Sequence, residues 1–381
     1  MNTQDLPHLI HMAKRMGHRR RKAPSCSDVY AHDPNYTPPP RLGQGAKTHP
    51  DRPFVVRSRQ GPVTRLTFAP QMSEPIEPER SFLVQKFAKL RFGTTHVVGY
   101  SVAGEETVIQ IPELNLCFDI GRCPYFALTS DIVCISHSHM DHLAGLGYYL
   151  SQRAFQGMKP GTVLVPREIE RPVDQLLRAW RDVERQGTPY TLVPMMAGQM
   201  YEVRRDFGIR AFATHHGGVS LGYSAVSIRE KLKPEFADRT GPQLAQMKME
   251  GVEIQYRLEV PLVAFLGDTT IGPVFEQPDV QNAQILLVEC TFFDPAHRVK
   301  AKAGKHMHLE HLAEVLPKLK NENIVLTHIS RRTGIRRAKH LLRKRIGEEQ
   351  MQRIHFLMDF EGAKDEGEVE DAGPPPTDTA E

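Results

Sequence analysis

The stretch ISHSHMDHLAGL, residues 135–146, carries three histidines and one aspartate within the six positions 137–142. It continues an apolar run, Ile132 to Ile135. Polar groups beside a core are costly unless something satisfies them. The stretch is therefore either a hydrated strand end or a cage for metal. In extended backbone His137 and His139, two apart, point to the same side. Asp141 and His142 follow where the chain turns into a helix, so they face the same space from another direction. A mononuclear catalytic zinc needs only three protein ligands. Four ligand-type groups in one loop suggest two metals.

A dinuclear site needs further ligands, ideally at other strand ends. FATHHGGVSLGY (212–223) offers His215 and His216 after a β run. VAFLGDTT (263–270) offers Asp268 after an apolar strand, followed by small residues. NIVLTHIS (323–330) offers His328. A lone histidine is more often a satisfied core or surface residue. The recurrence of one ligand type at the end of each strand favours metal.

The rest of the chain frames this set. Its 381 residues can bury one large core or two smaller ones. No run of about 18 apolar residues exists to span a bilayer. The basic N-terminus has no apolar signal region and carries an acid, so neither a secretion signal nor an organelle transit peptide is expected. The five cysteines are odd in number and form no CxxC, which favours reduced thiols in the cytoplasm. The net charge of +4 excludes little. Residues 1–75 are basic and proline-rich with little periodicity, and read as a disordered extension. Residues 361–381 read as an acidic disordered tail. Between them, 76–360 form the expected folded domain.

Within that domain THVVGYSV, ETVIQIP, LNLCFDIG, DIVCIS and GTVLVP are β-type runs, joined later by FGIRAFATHH, GYSAVSI, VPLVAFLGD, AQILLVECTF and NIVLTHIS. Helical patterns fall on LAGLGYYLSQRAFQ, on IERPVDQLLRAWRDVERQG with Gly187 as its stop, on HLEHLAEVLPKLK and on TGIRRAKHLLRKRIGEEQ. Sheets covered by helices, of α/β (α+β) class, follow. Two β-rich halves suggest a duplicated sandwich.

Seven motifs come in a fixed order: FDIGRCP (118–124), CISHSHMDHLAGLGYYLSQR (134–153), HGGVSLGY (216–223), AFLGDTT (264–270), VECTFFD (288–294), KHMHLEHL (305–312) and LTHIS (326–330). HxHxDH with a later His, Asp and His resembles the metallo-β-lactamase superfamily. The full set, over about residues 90–335, resembles its ribonuclease Z (tRNase Z) family, most of all the short plant-type form. The resemblance implies an αβ/βα four-layer sandwich and a zinc-dependent endoribonuclease. That enzyme removes the 3′ trailer of precursor tRNA and leaves a 3′-hydroxyl.

It further implies two Zn²⁺, with other divalent metals able to use the same donors. His137, His139 and His216 resemble the ligands of one, Asp141, His142 and His328 those of the second, and Asp268 the bridging carboxylate. His216 is preferred to His215 because it lies seven residues before Tyr223, as in the family's HxxxSxGY text. Glu289 and His306 resemble the family's proton-handling pair, with His308 the competitor for the second place and His311 read as an exposed helix residue. Asp141 resembles the group that accepts the proton of the attacking water. Ser330 and Arg332 match HxSxR and are expected near the scissile region. A homodimer is implied as well, while the cytoplasmic location and the lack of membrane association rest on the cysteines and on the absence of a long apolar run.

Residues 331–345 contain eight basic residues and no acid. Next to His328 they form either a phosphate track or a solvated helix face. Ile329 and Thr333 stand where the family usually has aromatics. No PxKxRN loop and no long Gly/Pro-rich arm is present, and 159–187 and 231–255 are the candidate substitutes. The alternative to tRNA processing is a hydrolase of the same fold acting on another RNA or on a small phosphodiester or ester.

Overall fold

A computed structural model describes residues 87–360. The expectations for 1–75 and 361–381 fall outside the described residues.

The first half of the described chain builds one sheet from β1 (Ala88–Phe92), β2 (Thr95–Val102), β3 (Glu106–Ile111), β4 (Leu116–Phe118), β5 (Ile132–Cys134), β6 (Gly161–Pro166) and β7 (Tyr190–Met195), in that spatial order. The pairs β1–β2, β2–β3 and β3–β4 are antiparallel, and β4–β5, β5–β6 and β6–β7 are parallel. The second sheet comprises β8 (Met200–Arg204), β9 (Phe207–Ala213), β10 (Leu221–Leu232), β11 (Gln255–Phe265), β12 (Ile285–Glu289), β13 (Asn323–Thr327) and β14 (Ile354–Phe356). It repeats the scheme: three antiparallel pairings, then three parallel ones. The duplication read from the sequence is thus a duplication of connectivity.

Helices α1 (Met140–Leu143), α2 (Leu146–Phe155) and α3 (Arg167–Glu184) belong to the first half. Helices α4 (Gly241–Met249), α5 (Pro278–Asn282), α6 (Arg298–Gly304), α7 (Leu309–Val315) and α8 (Ile335–Met351) belong to the second. Strand alternation sorts the core into three apolar layers. Leu116, Phe118, Ile132 and Cys134 face Tyr223, Phe265, Leu287 and Val325 between the sheets. Phe118 stacks on Phe265 there at 5.1 Å. The intervening Cys117, Val133 and Ile135 face Leu146, Leu150, Val173 and Leu177 of α2 and α3. Leu286, Val288, Ile324 and Leu326 face Val280, Leu312 and Leu342 of α5, α7 and α8. Two sheets with helices on both outer faces make the four-layer sandwich.

Two local expectations need correction. Helix α3 does not run to Gly187; it ends at Glu184, where Arg185 takes a left-handed conformation with φ 54° and closes the helix. His311 is half-buried rather than exposed, because its Nδ1 accepts the backbone N–H of His308 in the first turn of α7.

Parallel pairing sends the carboxyl ends of β4, β5, β11, β12 and β13 to loops that converge. Gly145 shows how tightly: it separates α1 from α2, and a Cβ there would lie 2.5 Å from the backbone carbon of Arg122. Only glycine lets α1, with Asp141 and His142, settle against the loop after β4.

Candidate metal centre

The loop after β5 brings His137 and His139, and α1 brings Asp141 and His142. The β9–β10 loop brings His216, the loop after β11 brings Asp268, and the residue after β13 is His328. His328 sits at φ 55°, a left-handed conformation unusual outside glycine. Its backbone N–H donates to Ser101 Oγ at 2.9 Å, which secures that conformation from the other sheet.

These seven residues form two adjoining groups, the ligand atoms of each lying within 4.8 Å of one another: His137, His139, His216 and Asp268, and Asp141, His142 and His328. Asp268 Oδ2 stands between them, 3.8 Å from His137 Nε2, 3.9 Å from His216 Nε2, and 3.4 Å from both His142 Nε2 and His328 Nε2. Asp141 Oδ2 lies 3.6 Å from His142 Nε2 and 3.5 Å from His328 Nε2.

Four of the five rings are fixed through the nitrogen that faces away from the cluster. His142 Nδ1 donates to Asp119 Oδ2 at 2.7 Å. His137 Nδ1 donates to Ser136 Oγ at 3.0 Å, whose hydroxyl donates in turn to Asp119 Oδ2 at 2.8 Å. His328 Nδ1 donates to Thr291 Oγ1 at 3.1 Å, and that hydroxyl donates to Glu289 Oε2 at 2.6 Å. His216 Nδ1 donates to the Lys305 carbonyl at 3.3 Å. Each bond fixes a tautomer and leaves an Nε2 lone pair facing inward, as metal-ligating histidines require. His139 turns the other way, with Nδ1 2.9 Å from His137 Nε2 and 3.3 Å from His216 Nε2.

The donor set fits cations on two further grounds. His142 Nε2 and His328 Nε2 are buried and make no hydrogen bond among the described residues. Such orphaned nitrogens are expensive unless a cation takes the lone pair. The electrostatics agree. Burial pushes the His137 pKa down to about 2, so that ring is neutral and its lone pair free. Burial opposes charge on His142 as well, yet the Asp268 and Asp119 carboxylates more than offset it and hold its pKa well above the usual histidine range. Burial likewise opposes the charge on Asp141, but the His328 and His142 rings hold its carboxyl below the usual range. The buried carboxylates thus favour positive charge at the centre of the cluster, the condition a cation site needs.

Beside it, His306 Nδ1 meets Glu289 Oε1 at 2.9 Å. Asp268, His306 and His328 form a third trio within 4.8 Å. The Glu289 bond distinguishes His306 from the ligands: burial works against its charge, but the Glu289 hydrogen bond and charge raise its pKa to about 9.

Residues 127–329 match a family model described as "Beta-lactamase superfamily domain". Among curated proteins, "tRNase Z TRZ2, chloroplastic" of Arabidopsis thaliana is 33% identical over 290 residues, 74% of this chain and 82% of that protein. "tRNase Z TRZ1" of the same plant is 37% identical over 243 residues, 63% of this chain and 87% of that protein. The chain belongs to the tRNase Z family. The crystal structure of human tRNase Z, short form, aligns at 17% identity and TM-score 0.43, over 72% of this chain and 95% of that one.

Against the tRNase Z motifs, the structure brings together all nine residues the sequence singled out for metal and proton handling. His215 is exposed, with only backbone contacts to Thr269 and Thr270. His308 is buried away from the cluster: Nδ1 caps α7 by accepting from the Glu310 N–H, and Nε2 donates to the Asp294 carbonyl. Ser330 is buried and its Oγ accepts from Arg332 at 3.3 Å, while Arg332 itself is exposed beside the site. Ile329 and Thr333 are both buried, so neither offers a surface for stacking bases.

The sequence reading passed over Asp119, Ser136 and Thr291. Asp119 lay inside the FDIGRCP motif and was assigned no role, yet it is fully buried and holds His142 together with the Ser136 N–H and hydroxyl. A carboxylate directly after an apolar strand was the available signal.

The basic segment 331–345 is largely neutralised. Arg331 faces Glu105, Arg337 faces Asp294, Lys339 faces Asp359, Arg343 faces Glu348 and Arg345 faces Glu310. An ion-paired helix face describes it better than a phosphate track.

Proposed function

We propose that this chain is a metal-dependent endoribonuclease that removes the 3′ trailer from precursor tRNA and leaves a 3′-hydroxyl. The observation that carries the reading is the His/Asp cluster with His306, bonded to Glu289 at 2.9 Å, at its edge. This cluster couples a cation site to a proton donor. Its family membership supports tRNA as the substrate.

His137, His139, His216 and Asp268 would hold one divalent cation, and Asp141, His142, His328 and Asp268 the second, with zinc suited to the imidazole-rich donor set. When bound, such a pair supplies an activated water and neutralises charge at phosphorus. The chain's own groups handle the protons. Asp141 Oδ2 accepts the Gly104 N–H at 3.1 Å, which fixes the carboxylate at the open side of the cluster, where it can take a proton from the attacking water. His306 keeps its Nδ1–H on Glu289 and presents Nε2 to the departing 3′ oxygen. Glu289 is fully buried and also accepts from the Thr269 N–H, the Met307 N–H and the Thr291 hydroxyl, so its carboxyl group is fixed in place. Ser330 and Arg332 lie beside His328 and are assigned to the scissile region.

No described helix is long and apolar enough to cross a membrane. Cys117, Cys134 and Cys290 are buried, and the location we propose is the cytoplasm. The homodimer finds support in the exposed Tyr148, Leu176, Trp180 and Val183 of α2 and α3.

The test is cleavage of a precursor tRNA bearing a 3′ trailer, with and without chelator, with the product end mapped. A chelator-sensitive cut next to the discriminator base supports the reading. Turnover of a generic phosphodiester without any cut in precursor tRNA would replace it with the small-substrate alternative.

A further inference from the structure

We propose that Lys300, Lys302 and Lys305, on α6 and its C-terminal turn, form the surface that grips RNA phosphates next to the scissile bond. The assignment rests on the ribonuclease reading above and supplies the phosphate contacts that α8 does not.

Three observations carry it. The first is free charge. Residues 298–305, RVKAKAGK, contain no acid. Lys300, Lys302 and Lys305 are exposed, and none has a carboxylate partner among the described residues. On the 331–345 segment, by contrast, five basic side chains already face carboxylates. Exposed charges are screened beyond about 8 Å in physiological salt, so cations act on phosphate only at close range. Unpaired lysines act as the available point charges for phosphate.

The second is position. The α6 turn is bonded directly to the cluster. The Lys305 carbonyl accepts from His216 Nδ1 at 3.3 Å, and the His306 N–H donates to the Ala301 carbonyl at 2.9 Å. Gly304 lies so close to the His306 ring that a Cβ there would stand 2.9 Å from its Cδ2. The lysines therefore flank the residue assigned to protonate the leaving oxygen.

The third is firmness. Ala301 anchors the helix with no exposure, and Arg298 at its start pairs with Glu310 of α7 at 3.3 Å. Lys305 closes α6 in a left-handed conformation with φ 53°, which fixes the turn. A fixed platform loses less entropy on binding than a loop.

RNA affinity that depends on phosphate contacts falls with salt, with a slope of about 0.7 per contact for single strands. The experiment compares wild type, K300Q/K302Q and R343Q/K344Q, the last removing equal charge from α8. Anisotropy of a labelled single-stranded RNA is read across a salt series. Cleavage of precursor tRNA and of bis(p-nitrophenyl) phosphate is measured alongside. For K300Q/K302Q the log–log salt slope is expected to fall by about 1.4, with at least a tenfold greater loss on RNA than on the small diester. R343Q/K344Q is expected to change the slope by less than half as much. An unchanged slope in K300Q/K302Q, a larger change in R343Q/K344Q, or equal loss on both substrates would overturn the proposal. If wild type binds RNA through these lysines but never cuts precursor tRNA, the tRNA reading fails and the α6 assignment stands.

Discussion

His306 Nδ1 lies 2.9 Å from Glu289 Oε1, which ties the turn after α6 back to the end of β12. The pair sits beside the His/Asp cluster without belonging to its donor set. H306A is therefore expected to lower kcat by about 10²- to 10⁴-fold, the usual contribution of a general acid, while bound metal measured by elemental analysis stays at the wild-type level. Parallel loss of metal and turnover would remove His306 from the acid role.

The same pair sets a pH dependence. A raised pKa of about 9 keeps His306 protonated at neutral pH, so acid competence persists up to about 9 and is lost above it. E289Q removes the charge that holds the proton. The basic limb of the kcat profile should then move to lower pH, and a limb that stays in place would detach it from this histidine.

Asp119 holds His142 at 2.7 Å from a fully buried position. D119A should weaken metal binding by about 10- to 100-fold, as loss of a partner behind a ligand typically does. Competition with a chromogenic chelator measures it. H216A should lose metal outright, and H215A should match wild type in the same assay.

Metal removal should also soften the fold. A ligand at about 1,000 times its Kd adds about 4 kcal/mol to the folded state, so chelator is expected to lower Tm on the order of 10 °C. Calorimetry with and without chelator gives the shift, and an unchanged Tm would mean the cluster holds no tightly bound ion.

Far from the site, His355 in β14 packs edge-on against Phe92 with ring centroids 4.8 Å apart, and its buried Nε2 has no hydrogen-bond partner. Burial holds its pKa below the usual 6.5. Below that pH the unfolded chain takes up a proton that the folded chain resists, so this residue costs stability on acidification and not on alkalinisation. H355F should flatten the fall of Tm between pH 6.5 and 5; an identical slope would assign the acid sensitivity elsewhere.

What the sequence revealed follows burial. The ten strands read from it lie inside the two sheets, where both faces are covered and the apolar pattern is dense. The four it passed over, β1, β7, β8 and β14, are the four sheet edges, with half-exposed, polar-rich text such as AKLRF and MYEVR. An edge strand is defined by its neighbour, which no local pattern encodes. The clustered His and Asp residues were legible because each is a ligand-type residue at or near the end of an apolar run. Asp119 was hidden by having the same form with no histidine beside it. The sequence left both readings of 331–345 open because the partners Glu105, Asp294, Glu310 and Asp359 are remote from it in the chain.

The matched connectivity of the two sheets has a mechanical consequence. Four of the seven clustered residues come from the first half of the described fold and three from the second, so a cation bound there acts as a rivet across the seam. Stripping it should first loosen that seam, and hydrogen exchange would register the change in the loops after β5 and β13 before either sheet opens.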